Sequence, residues 1–167
     1  MHALALALVV AADLDPGPTP MADSVVAFSR LGSGEELRIH FRSSGCFHND
    51  VYDLVFQSGP RPTVTVAGVR YGFIRSMARD RAPRSVGTLA LSDSEVAGLD
   101  ALLRLYRDRP RGDCTTTEIV DVAYVRDGAV LASETFIDGS CAIDRAEGIT
   151  SLQRLIWRAE YGPGPGR

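Results

Sequence analysis

Residues 116–137 read TTEIVDVAYVRDGAVLASETFI. Two runs rich in β-branched and aromatic residues meet at Asp127-Gly128, the dipeptide favoured by a two-residue type I′ turn, so the stretch predicts a β-hairpin. Such a turn sets a register: Val125 opposite Val130, Ala123 opposite Ala132, Ile119 opposite Phe136, all reasonable cross-strand pairs. Continued outward in step, it brings Cys114 opposite Cys141, and neither cysteine was used to choose it. A Cys114–Cys141 disulfide is therefore expected across the hairpin mouth, with Cys46 left as a free thiol. Pairing of Cys46 with either of the others is the alternative, since three cysteines allow one internal bridge.

The same register sets Asp121 against Glu134. Like charges at that distance repel unless a cation lies between them, so the pair reads as half of a divalent-ion site or a general-acid pair. The plainer reading, two solvated carboxylates relaxed by Arg126 or another arginine, is preferred.

Towards the amino terminus, Leu37, Ile39 and Phe41 alternate with Arg38, His40 and Arg42, the period of a half-buried strand. Residues 51–57 repeat it with Tyr52, Leu54 and Phe56, and the turn-rich stretch 43–50 (SSGCFHND) joins the two as a second hairpin. Residues 62–69 (PTVTVAGV) read as a third strand. Residues 72–85 read as an irregular excursion with a helical turn, and 86–91 as a short strand.

Two helices follow from their start signals. Ser92 and Glu95 have capping-box spacing and Leu91 and Val96 staple spacing, so a helix is expected over 93–107, with Val96, Leu99, Leu102, Leu103 and Tyr106 on its apolar stripe. Pro110 stops it. A second helix, 151–160, is announced by Thr150 and Gln153 and buries Leu152, Leu155, Ile156 and Ala159. The fold expected is α+β: a mostly antiparallel sheet of about five or six strands packed in two layers against one or two α-helices.

The ends differ from this body. Residues 3–12 (ALALALVVAA) form an uncharged apolar run too short for a bilayer, which needs about 20 residues. With Val10 and Ala12 at the small-residue positions of a cleavage site, 1–12 reads as a signal peptide, although no lysine or arginine precedes the run. Residues 13–24 read as a proline-rich acidic linker, 25–161 as a single domain and 162–167 as a flexible tail. The protein is thus expected to be exported, periplasmic or extracellular, with no membrane span after leader removal, in a compartment where disulfides persist.

Composition excludes little. The chain has 167 residues, enough to bury about 70% of its unfolded surface, with 45% hydrophobic and 23% charged residues. All 18 basic residues are arginine and Asn49 is the single asparagine, a pattern of codon bias in a GC-rich bacterial genome. A net charge of −3 gives no general pull towards nucleic acid.

Three sets of residues carry candidate chemistry. Cys46, His48 and Asp50, with His40 from the neighbouring strand, offer thiolate and imidazole ligands of the kind zinc or copper prefers, or a thiol beside an imidazole as nucleophile. The spacing matches no diagnostic metal motif, so a buried thiol and a turn aspartate are preferred. Arg70, Arg75, Arg79, Arg81 and Arg84, opposed by Asp80, form a cationic segment suited to an anionic ligand or acidic protein, with a solvated loop as the simpler reading. No G-x-S-x-G elbow, H-E-x-x-H helix, P-loop or dinucleotide fingerprint occurs.

The expected function is a noncatalytic exported binding or protein-interaction module, taking a protein partner or a small anionic ligand and requiring no cofactor. The alternative is a zinc-binding protein or hydrolase centred on Cys46, His48, Asp50 and His40. A purely structural envelope component is a third reading. In layout the chain resembles small exported bacterial domains that combine short hairpins with one or two helices.

Overall fold

Strict alternation between 35 and 44 produces the strand at the middle of the molecule. In the computed structural model, which describes residues 26–46, 48–71, 83–108, 112–143 and 146–162, β1 (Glu35–Ser44) pairs with β2 (Asn49–Gln57) on one side and β5 (Thr117–Arg126) on the other. β3 (Thr63–Arg70), β4 (Arg84–Ala90) and β6 (Ala129–Asp138) complete an antiparallel six-stranded sheet of order β4-β3-β2-β1-β5-β6. The expected leader, the linker and most of the 72–85 excursion lie outside the described residues.

Period-two patterning sends one set of side chains to a single face. Leu37, Ile39 and Phe41 stand beside Phe56, Leu54 and Tyr52 on β2 and beside Tyr124, Val122 and Val120 on β5, with Val64 and Val66 next in line on β3. Helices α1 (Asp93–Asp108) and α2 (Leu152–Tyr161) cover this face, burying Leu99, Leu102, Leu103 and Tyr106 from one and Leu152, Leu155 and Ile156 from the other. α1 reaches the β6 side and α2 the β4 side. The architecture is the two-layer α+β arrangement expected. No described helix covers the opposite face.

Both helix starts depend on local hydrogen bonds. Ser92 N donates to Glu95 Oε2 at 2.8 Å and Glu95 N donates to Ser92 Oγ at 3.3 Å, the reciprocal capping box expected for α1. For α2 the cap is Ser151 rather than Thr150: its Oγ accepts from Arg154 N at 3.2 Å. Thr150 is buried against α1 at Gly98, where a Cβ would come within 2.3 Å of its Oγ1. The threonine is used in helix–helix contact and the serine next to it caps.

The β5–β6 hairpin departs from the expected register. Asp127 and Gly128 take positive φ (51° and 81°), and Val125 does face Val130, but Tyr124 then faces Ala132, so Leu131 is an extra residue in a β-bulge. Beyond it Ala123 faces Ser133, Asp121 faces Thr135, and Ile119 faces Ile137. Hydrophobicity explains the shift. An unbulged hairpin would turn Ser133 and Thr135 towards the helices, whereas the bulge turns Ala132 and Phe136 there, and Phe136 stacks on Tyr106 with ring centroids 5.5 Å apart. Cys114 and Cys141 are nevertheless bonded, with Cα atoms 5.7 Å apart. Both lie past the paired strands, where Cys114 N donates to Gly139 O at 2.8 Å and Cys141 takes φ 54°.

Candidate functional site

Strand alternation divides the first hairpin's chemistry between two faces. Ser43 pairs with Asp50 on the helix-covered face, and His48, in the β1–β2 connection, holds Ser43 Oγ at 2.9 Å through Nε2. His40 is one position out of phase with Ser43 and belongs to the opposite face, where its Nδ1 lies 2.8 Å from Asp53 Oδ1 and its neighbour on β5 is Asp121. Cys46 is an exposed thiol in the connection. The four residues singled out from the sequence are therefore not assembled: His48 and Asp50 share a side, and His40 lies through the sheet from them. Among the described residues, no group of three or more His, Cys, Asp or Glu side chains is arranged to hold a metal ion.

The bulge separates the second acidic pair. Asp121 accepts from Thr135 Oγ1 at 2.8 Å and Arg42 Nη2 at 3.1 Å on the open face, while Glu134 turns to the helix side and meets Arg107. Of the five arginines, Arg75, Arg79 and Arg81 lie outside the described residues, and Arg84 is exposed at the start of β4. Arg70 is engaged by carboxylates: its Nε is 3.3 Å from each oxygen of Asp50 and its Nη1 3.9 Å from Glu160 Oε2.

What the fold does bring together is a polar row across the helix-covered end of the sheet. Consecutive register partners run Arg70, Asp50, Ser43, Glu118, Asp138 from β3 to β6. Only Asp50 and Arg70 carried weight in the sequence reading. The remainder was encoded in strand parity, since 43 and 118 follow 41 and 120 on the core side, but becomes visible only once neighbouring strands are known.

α2 closes over this row. Gln153 Nε2 donates to Glu118 Oε1 at 2.9 Å and to Ser43 Oγ at 3.3 Å. Tyr106 OH, from α1, donates to Glu118 Oε2 at 2.9 Å. At the other end of α2, Tyr52 OH donates to Glu160 Oε1 at 2.6 Å. The Tyr52 ring has room because β3 carries Gly68 opposite it, where a Cβ would lie 2.4 Å from Tyr52 Cδ1.

Between α2 and the ends of β1, β2 and β3 lies a cleft of about 630 Å³. Phe41, Tyr52 and Ile156 supply its apolar lining, and His48, Asp50, Arg70, Ser151, Gln153, Arg154 and Trp157 the rest. A smaller recess of about 110 Å³ shares His48 and Gln153 and is bordered by Glu118, Asp138 and Cys141, so the disulfide flanks the same region.

Burial controls the electrostatics here. Removal from water pushes the Asp50 carboxyl above its ordinary range, outweighing the opposing pull of Arg70. Burial and the hydrogen bond to Glu160 push the Tyr52 phenol up as well, keeping it a neutral donor. Among the described residues, Glu160 Oε2 is a buried acceptor without a hydrogen-bond donor.

A second cavity of about 490 Å³ lies beside the start of α1, among Phe28, Phe56, Leu91, Val96 and Asp100. Asp100 there is already committed, accepting from Phe28 N at 2.6 Å and Ser29 N at 3.3 Å. Charged groups and an open concavity coincide in the cleft under α2, and also in a concavity of about 480 Å³ lined by Arg38, His40, Asp53 and Asp121. No protein-family model, no curated protein and no solved structure matches this chain.

Proposed function

We propose that the protein is an exported, noncatalytic binding module whose ligand enters the cleft between α2 and the ends of β1–β3. One observation carries this reading: side chains from four separate segments, His48, Asp50, Arg70 and the α2 residues Gln153 and Trp157, converge on one concavity of about 630 Å³. That is the size and composition of a site for a small molecule or for one or two side chains of a partner. The Cys114–Cys141 bridge supports the export half of the reading, because such a bond persists in an oxidising compartment.

The noncatalytic half has a geometric basis. Ser43 is the hydroxyl nearest an imidazole in this region, yet the residue is fully buried and its oxygen is held by both His48 and Gln153. Among the described residues, no carboxylate hydrogen-bonds the His48 ring to orient it as a base. The contact serves to fix the connection and the wall of the cleft.

Trp157 is the chain's single tryptophan and lines the cleft, so its emission reports occupancy. The test is a titration with amines, carboxylates, phosphates, sugars and short peptides. A saturable response that is lost on His48→Ala is the expected result, and silence across the panel would sink the cleft reading. Stoichiometric retention of Zn²⁺ abolished by His48→Ala would favour the metal-binding alternative instead.

A further inference from the structure

Two carboxylates beneath the cleft share one cation. The side chains of Asp50 and Glu160 are 10% and 7% exposed, and Arg70, itself 42% exposed, is the guanidinium that faces both. Its contacts with Asp50 are 3.3 Å hydrogen bonds, whereas the 3.9 Å approach to Glu160 is too long for one. Glu160 Oε1 accepts a hydrogen bond from Tyr52 OH, and among the described residues Oε2 receives none. An acceptor buried without a donor is costly, and among the described residues two buried acids face one half-exposed guanidinium.

Arg154 is exposed at the rim, where water screens it more than it screens the buried acids. Trp157, 44% exposed, presents an aromatic ring to the same cleft, the surface on which an organic cation stacks.

The geometry points to an organic cation as the group this cleft receives: an alkylammonium or guanidinium head, which would draw Arg70 or replace it in serving Asp50 and Glu160 while resting against Trp157. This rests on the cleft reading above and adds the ligand's chemical class.

The experiment titrates the full chain, by Trp157 emission, with agmatine and with the tripeptide acetyl-Gly-Arg-Gly-amide, using citrate and inorganic phosphate as anionic probes. Saturable binding of the cationic probes is expected, weakened by salt and weakened at least about tenfold by Glu160→Gln. Asp50→Asn is the second variant, and thermal melts of both show that the fold persists. Tighter binding of agmatine marks a small-molecule ligand, tighter binding of the tripeptide a partner's side chain, and either supports the inference. Binding of the anions alone overturns it while leaving the cleft a binding site, and binding of cations unaffected by both substitutions overturns it as well. Silence towards all four, with a response to some other class in the wider panel, likewise refutes the cationic assignment alone.

Discussion

Arg107 forks onto Glu134, with Nε and Nη2 each 2.9 Å from a different carboxylate oxygen. The pair fastens the last turn of α1 to the edge strand β6, and Nη2 also donates to Val26 O at 2.9 Å, holding the first described segment in place. Both side chains are about three-quarters buried, at 25% and 29% exposure, so the pair is screened less than a surface bridge. Arg107→Ala is expected to cost about 1–2 kcal/mol. Urea unfolding of Arg107→Ala, Glu134→Gln and the double variant measures it. Additive losses would mean that the two residues act independently.

The disulfide closes a long loop, with a sequence separation of 27 residues. Chain-entropy arguments put the stabilisation from such a crosslink at about 3.5 kcal/mol. Cys114→Ser/Cys141→Ser should lower the urea midpoint accordingly, compared in a Cys46→Ser background because the exposed Cys46 thiol could otherwise exchange with the bridge. A loss below about 1 kcal/mol would show that the hairpin and the helices already restrict the unfolded loop.

Patterning that depends on one element was legible in the sequence, and patterning that depends on two was not. The alternation of 37–41, the Ser92–Glu95 box and the stripe Leu99–Leu103–Tyr106 each belong to a single element, and all appear as read. The register beyond Val130 does not, because Leu131 is extruded for the benefit of Phe136, whose partner Tyr106 lies on another element. The four candidate site residues are not brought together, for the same reason. His40, His48 and Asp50 are near in sequence, but parity sends His40 to the open face. Gln153, Glu160 and Trp157 join His48 and Asp50 only because α2 returns over the sheet after more than ninety residues.

Acid should destabilise the fold through Glu35. Hydrogen bonds from Tyr124, the Gly32 amide and Arg126 hold its carboxyl at about 2, against an ordinary 4.5. A carboxyl depressed in the folded state contributes stability that is full above its unfolded value and disappears as pH falls from about 4.5 towards 2. Glu36 and Glu95 are lowered too and add to the same limb. Asp50, raised by burial, acts oppositely, since the folded protein takes up its proton more readily than the unfolded chain. Glu35→Gln should therefore lower stability at pH 7 and flatten the acid limb, while Asp50→Asn should steepen it. Unchanged limbs in urea titrations across pH 2–5 would contradict both assignments.

Leu131 supplies the sharpest test of how the hairpin chooses its face. The residue is 40% exposed and stands where Val125–Val130 pairing gives way to Tyr124–Ala132. If its role lies in its backbone, Leu131→Ala should cost under about 1 kcal/mol, as surface substitutions do. Inserting one alanine between Ala132 and Ser133 should be far worse, because the added residue would turn Ser133 and Thr135 to the helices and carry Phe136 off Tyr106 and Glu134 off Arg107. A loss of more than about 4 kcal/mol, or of cooperative unfolding, is expected. Near-normal stability of the insertion would mean that the hairpin can extrude one more residue to keep Phe136 inside. In that case Asp127-Gly128 would not be what sets the register.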